Sequence, residues 1–395
     1  MAIGNYKENL EKSMGMSTNR NEDIRKSIDP TKPHNNLPPL PPRADIETRA
    51  ILKKCLKASV ALAELRIEGK RIPNQDVLIN TIPLIEGRDS SAIENIVTTT
   101  DELFEHANLD EEFDDPAKKE ASRYPTALKY GHEAIVNKPL VTATSVEICR
   151  IIKGTDLDIR QTTGTTLRND RTGEIIYTPP EGEQLLRDML TNWEKFLHSD
   201  ADIDPLVLMA IGHYQFEAIH PFIDGNGRTG RIVNILYLIE QELLELPVLY
   251  LSRYILKHRE KYYKLLNAVT YQNDWEPWIL FMLDAIEVTA IWTTEKIRAM
   301  DELMTYTADH IREQKPKIYS RELIDLIFIQ PYCRISTVIE AGIAKRNAAS
   351  RYLRELIEIG VLEEHRPGRE KVFVHPKYLN LLKSDGNQFD QYQNP

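Results

Sequence analysis

One short stretch of this chain leaves little choice of local structure. Gly225-Asn226-Gly227 is poor in Cβ atoms, and residues 228–243 after it repeat apolar side chains (Ile232, Ile235, Leu236, Ile239) at helical spacing. Glycines ahead of such a pattern allow a tight turn that runs straight into a helix. The turn then sits at a helix N-terminus, where unpaired N–H groups and the dipole favour an anion. Arg228 and Arg231 are three residues apart on the first helical turn and point to one side. Two cations there oppose the dipole unless an anion is present, and their planar forks suit phosphate. His220 is a candidate general base, because imidazole titrates near neutrality. Asp224 offers a hard oxygen suited to Mg2+ held jointly with phosphates. The residues alone thus make 220–231 an anion site with a base nearby. The plain alternatives are an ordinary Asn-Gly turn and a structural histidine.

The surrounding sequence supplies a mostly helical frame. Residues 1–44 read as a flexible arm, polar and then Pro-rich (Leu37-Pro-Pro-Leu-Pro-Pro), suited to extended structure lying across a surface. A helix is expected from Ile46 to about Gly69, with Ile51, Leu56, Val60, Leu62 and Leu65 as its apolar side, and a second from about Asp76 to Leu84. Residues 155–180 are rich in Thr and Ile around the turn signal Asn169-Asp-Arg-Thr-Gly173, which predicts a β-hairpin closing at Tyr177-Thr-Pro-Pro180. Helical patterning then runs from Glu183 to about Glu313. After Pro316 the order is helix, short helix, turn, helix over 345–359 with Ala348, Tyr352, Leu353 and Leu356 inward, and a two-stranded wing. That is the layout of a winged helix-turn-helix.

Bulk properties narrow the function classes. The 395 residues suggest two or three domains, and the net charge of -10 argues against a whole-protein electrostatic grip on nucleic acid. Residues 316–383 carry 12 Lys+Arg and 8 Asp+Glu, a net of +4, which leaves 38 and 52, or -14, for the remainder. A basic C-terminal module therefore sits on an acidic body. Cys55, Cys149 and Cys333 are scattered, so neither a zinc site nor a disulfide framework is expected and a reducing compartment is the default. With no apolar h-region at the N-terminus and no long apolar run, the expectation is a cytoplasmic chain without a membrane segment.

The segment His220-Pro-Phe-Ile-Asp-Gly-Asn-Gly-Arg-Thr-Gly-Arg231 resembles the Fic family signature, His-x-Phe-x-Asp/Glu-Gly-Asn-Gly-Arg-x-x-Arg, at every defined position. The Pro-rich stretch with its following helices, the hairpin ending Tyr-Thr-Pro-Pro and the winged helix also resemble parts of that family, so the likeness covers most of 37–383. The fold it implies is mainly α: a Fic-type helical bundle with a small β-hairpin flap, plus a C-terminal winged helix-turn-helix domain. The domains expected are the arm at 1–44, an N-terminal helical region with an inhibitory helix at 45–130, a catalytic core at 131–313 and the winged module at 316–383.

The activity implied is transfer of AMP from ATP to Ser, Thr or Tyr hydroxyls of proteins. The resemblance assigns the base to His220 and Mg2+ to Asp224. It assigns phosphate oxygens to the backbone of Gly225, Asn226 and Gly227 and to the Asn226 side chain. Arg228 takes the β-phosphate and Arg231 the γ-phosphate, with Phe222 as a core anchor. Tyr262, with Tyr263 and Asn267, falls where the family contacts the base; core packing is the alternative for these residues. Ile175 and Tyr177 of the flap are assigned to clamping a target segment by strand addition. Gly227 stands where the phosphate-transferring branch has a lysine, which favours AMP. Ser90-Ser-Ala-Ile-Glu94-Asn fits the family's inhibitory pattern, in which Glu94 would pair bidentately with Arg231 and take the γ-phosphate site; a helix-capping arrangement is the alternative. Expected partners are ATP and protein substrates, with a homodimer and DNA as further candidates. The rival reading is a DNA-binding winged-helix regulator using Lys345, Arg346, Arg351, Arg354, Arg366, Arg369 and Lys371, in which the Fic core has a secondary or AMP-removing role.

Overall fold

The computed structural model describes residues 28–108, 115–136, 138–168, 172–199, 202–365 and 371–392. The first part of the expected arm, the hairpin turn 169–171 and the wing tip with Arg366 and Arg369 lie outside the described residues. The chain is mainly helical. Its elements begin with α1 (Arg49–Glu68), α2 (Asp76–Ile79), α3 (Ile82–Ile93), α4 (Thr100–Asn108), α5 (Pro116–Ile135) and α6 (Thr142–Lys153). The hairpin strands β1 (Leu167–Arg168) and β2 (Ile175–Tyr177) precede α7 (Glu183–Leu197), α8 (Pro205–Ile219), α9 (Asn226–Glu240), α10 (Leu251–Lys257), α11 (Arg259–Gln272) and the long α12 (Trp275–Gln314). The C-terminal module holds α13 (Arg321–Ile329), β3 (Tyr332–Cys333), α14 (Ile335–Glu340), α15 (Arg346–Glu358), β4 (Glu363–His365), β5 (Val372–Val374) and α16 (Pro376–Lys383).

The framework forms two compact units. One comprises Met1–Cys55, Leu157–Asn226 and His258–Leu283. In it α7 lies against α8, and the indole N–H groups of Trp193 and Trp278 donate to the α8 carbonyls Gly212 O (2.9 Å) and Ala210 O (2.8 Å). The β1–β2 hairpin is antiparallel, pairing Leu167 with Tyr177 and Arg168 with Ile175. The Pro-rich arm is strapped to the hairpin's return: His34 N–H donates to Thr178 O at 3.0 Å and the Thr178 hydroxyl to Pro30 O at 2.6 Å.

The other unit comprises Leu56–Asp156, Gly227–Lys257 and Asp284–Pro395. Here α3 is packed against α5 and α10, and α5 against α6. The C-terminal sheet has the order β3-β5-β4, all antiparallel. The elements follow the expected order of helix, short helix, turn, helix and wing. Two pieces had no sequence prediction: β3, too short to show a period, and α16, which Pro376 starts at a first-turn position where the missing N–H is harmless.

Three local expectations are corrected. The predicted helix 76–84 is two pieces, because Pro83 belongs in a first turn and α3 restarts there and runs on to Ile93. On α1, Leu56 and Val60 are 69% and 60% exposed, whereas Ile51, Cys55, Ala58, Leu62 and Leu65 are buried. The smaller Cys55 and Ala58 complete the true stripe, and the larger side chains face out. On α15 the inward alanine is Ala349 rather than Ala348, and Tyr352 is half-buried.

Candidate functional site

The segment 220–231 crosses the division between the units after Asn226, so its two halves are taken separately. The first half begins where α8 ends. Asp204 caps that helix, accepting from Leu206 N–H at 2.8 Å, and Pro205 fits its first turn. The helix stops at His220, whose φ of 51° and ψ of 61° are left-handed, a conformation a non-glycine residue holds only when its surroundings impose it. Those surroundings are specific. His220 N–H reaches Phe216 O at 3.0 Å, and the guanidinium of Arg160 donates to His220 O at 2.8 Å. Phe222 is fully buried with its ring edge against Phe216, as expected of an anchor. Asn226 closes the loop: its Oδ1 accepts from Phe222 N–H at 2.8 Å and its Nδ2 donates to Phe222 O at 2.9 Å. That side chain thus bonds both backbone polar groups of Phe222.

Gly225 adopts φ 84°, a conformation open to glycine. Asp224 is exposed, and its Oδ1 accepts from Gly225 N–H at 2.6 Å. Among the described residues no group of three or more His, Cys, Asp or Glu could hold a metal. A divalent ion at Asp224 would draw its other ligands from water or phosphate oxygens.

Two other expected residues lie in this unit. Tyr262 is 1% exposed, with its hydroxyl 2.9 Å from His213 Nε2 and its ring among Trp278 and Phe281; it is part of the core. Tyr177 turns its ring inward and donates to Ala218 O at 2.9 Å, while Ile175 is half-buried. Between them, Ile176 O accepts from the Tyr271 hydroxyl at 2.6 Å. The Tyr177 ring thus anchors the hairpin to the end of α8.

The second half is Gly227 to Arg231, the first turn of α9. Arg228 and Arg231 are each 1% exposed. Buried guanidinium groups need partners, and carboxylates supply them. Arg228 Nη1 is 2.7 Å from Glu120 Oε2 on α5, and Glu120 also meets Lys153 Nζ. Arg231 Nη2 is 2.9 Å from Glu94 Oε1, and the same guanidinium donates to Ser90 Oγ and Ser90 O, both at 2.8 Å. The fork expected on the carboxylate alone is shared with Ser90. Glu94 follows the last turn of α3, a poor place for an anion beside the helix carbonyls; Arg231 offsets that. Gly227 leaves room for this contact: a Cβ there would stand 2.2 Å from Glu94 Oε1, so the carboxylate would have to move.

The helix that carries Glu94 is itself held by buried acids. Glu86 accepts from Ser252 N–H at 2.9 Å and from the Ser252 hydroxyl at 2.5 Å, both on α10. Burial pushes its carboxyl up to about 7 from the usual 4.5, against the lowering effect of the Ser252 bonds. Asp89 accepts from the Tyr250 hydroxyl at 2.5 Å and pairs with Arg88 at 2.6 Å. Sequence reasoning missed Arg160, Glu120 and Glu86. Each acts over tens of residues of chain, and none belongs to a local pattern.

Comparison with known proteins agrees with this layout. Residues 52–133 match the Fic/DOC family N-terminal description, 144–238 the Fic/DOC family description, and 303–378 the C-terminal domain of SoFic-like protein adenylyltransferases. Protein adenylyltransferase Fic of Drosophila willistoni is 26% identical over 206 residues, covering 51% of this chain and 39% of that protein. The Drosophila erecta protein of the same name is 26% identical over 209 residues, covering 50% and 40%. The chain thus spans about two fifths of the length of these relatives. In fold it is similar to the crystal structure of a Fic family protein from Desulfovibrio desulfuricans G20, with a TM-score of 0.53 and 21% identity, covering 85% of this chain and 98% of that one. Among the described residues no helix is long and apolar enough to cross a membrane.

Proposed function

Because this chain belongs to the Fic/DOC family, we propose that it is a protein adenylyltransferase restrained by its own Glu94. The name shared by the Drosophila relatives supports the activity. The contact of the buried Arg231 with Ser90 and the half-buried Glu94, where a side chain on residue 227 would meet the carboxylate, is the observation that carries the restraint.

In this reading His220 takes the proton of a Ser, Thr or Tyr hydroxyl. The oxygen attacks the α-phosphorus of ATP in line, the bond from that phosphorus to the bridging oxygen breaks, and pyrophosphate leaves. Asp224 would hold a Mg2+ brought with the nucleotide, and the ion would supply neutralisation of phosphate charge there. The N–H groups at the start of α9 and Arg228 take phosphate oxygens, for which Arg228 turns from Glu120. Arg231 takes the γ-phosphate when Glu94 gives way. Positioning and charge account for most of such a catalyst's effect.

Intact-mass measurement after incubation with ATP and Mg2+ tests the proposal. Glu94→Gly gains one AMP mass on itself or on a supplied target faster than the parent, and Glu94→Gly/His220→Ala gains none. Equal adduct with and without His220, or no adduct on any protein in Glu94→Gly, contradicts it. The second reading, DNA binding, is favoured by the exposure of Lys345, Arg346, Arg351 and Arg354 on or beside α15. Its charge is thinned by Arg351–Glu355 (3.5 Å) and Lys371–Glu364 (3.0 Å). A shift assay with steep salt dependence is the result it requires.

A further inference from the structure

We propose that Arg160 is a positioning residue for the transfer, locking the base and the target-facing hairpin to one another. This rests on the reading of His220 as base and of the β1–β2 hairpin as flap. Arg160 is 2% exposed, and its bonds go to main-chain carbonyls. Nε donates to His220 O at 2.8 Å, and Nη2 to Ile219 O at 3.4 Å and to Pro180 O. Its own N–H donates to Pro221 O at 2.9 Å.

The placement of these acceptors matters. Ile219 O belongs to the peptide plane before His220 and His220 O to the plane after it. Holding both planes fixes the φ and ψ of His220 in its left-handed conformation, and with them the direction of its Cα–Cβ bond. Pro180 ends the hairpin's return. Through one rigid fork, the geometry of the base and the footing of the flap are set together. Tyr177, donating to Ala218 O at 2.9 Å, adds a second tie between the same two segments. A hydroxyl presented by the hairpin therefore reaches His220 at a fixed offset. A displacement near 1 Å costs on the order of 10²-fold in rate.

Lysine carries its donors on one ammonium nitrogen where arginine has a planar fork, so Arg160→Lys keeps the charge and loses the simultaneous grip. The test places Arg160→Lys and Arg160→Met in the Glu94→Gly background. The expected result is AMP transfer slowed on the order of 10²-fold with ATP affinity within about twofold, and no rescue by lysine. Hydrogen exchange, read on the same proteins, is expected to rise together in peptides covering 175–181 and 219–222 and to stay level elsewhere. Transfer at the Glu94→Gly rate overturns the proposal. So does exchange that rises in one segment only, in neither, or across the whole unit as for a folding defect. If Glu94→Gly itself transfers nothing, the reaction assignment has failed; the exchange result then decides the lock between His220 and the hairpin.

Discussion

The two halves of the segment 220–231 are fixed by different physics. From His220 to Asn226 the hold is on main-chain groups: Asn226 bonds both polar groups of Phe222, the Arg160 guanidinium bonds the carbonyls around His220, and His220 N–H bonds Phe216 O. From Gly227 to Arg231 the grip is electrostatic, with Glu120 on Arg228 and Glu94 on Arg231. The first kind of hold ends on backbone N–H and C=O groups of the segment itself. The second holds an arginine through an anion, and another anion can replace it. Under the proposed function, a base that stays in place and a clamp that lets go and grips again call for these two kinds of hold.

Breaking each half in turn should give unlike results. His220→Ala is expected to lower AMP transfer by at least 10²-fold, the usual range for a lost general base, with nucleotide affinity and melting little changed; calorimetry and a transfer assay check both. Glu120→Ala acts on the clamp. It leaves Arg228 buried beside Lys153 without its carboxylate, and about 3–5 kcal/mol of stability should be lost in urea unfolding.

The clamp half should also feel pH. Glu86, on the helix that carries Glu94, has its carboxyl raised from 4.5 to about 7 by burial. A raised carboxyl binds more protons folded than unfolded between those values. Its contribution is complete below about 4.5 and is lost as pH rises through about 7. Stability attributable to Glu86 should fall by ~3 kcal/mol across that window, and Glu86→Gln should flatten the fall in urea unfolding at pH 5 and pH 8. The smallest effect belongs to the base half. Asn226→Ala leaves the polar groups of Phe222 unpaired and should cost about 1–3 kcal/mol, with little change in ATP affinity.

The same division explains what could be read from sequence. The turn at Gly225, the helix after it and the residues Ser90, Glu94, Arg228 and Arg231 were legible because each belongs to a short pattern. The hairpin was legible from its turn residues, and Tyr177 and Phe222 from their place in it and in the segment. What holds those pieces was not. Arg160 is 60 residues from His220 and Glu120 is 108 residues from Arg228, and a lone arginine before a hairpin or a lone glutamate in a helix looks like any other. The α1 stripe failed for a related reason. Leu56 and Val60 outweigh Cys55 and Ala58 on a hydrophobicity count, but the spacing that places a residue inward is set by the neighbouring helices. Asn226 was assigned to phosphate from the segment alone; its bonds to Phe222 became visible only in three dimensions.

In the proposed reaction Arg231 has two partners, Glu94 and the γ-phosphate, and the ratio of ATP to ADP affinity reads this directly. Titration calorimetry on the parent and on Glu94→Gly, with Mg2+, is the measurement. The parent should bind the two nucleotides about equally, because Arg231 is occupied. In Glu94→Gly, ATP should gain on ADP by about tenfold, or about 1.4 kcal/mol. A ratio that does not change on removing Glu94 would contradict the shared-arginine account.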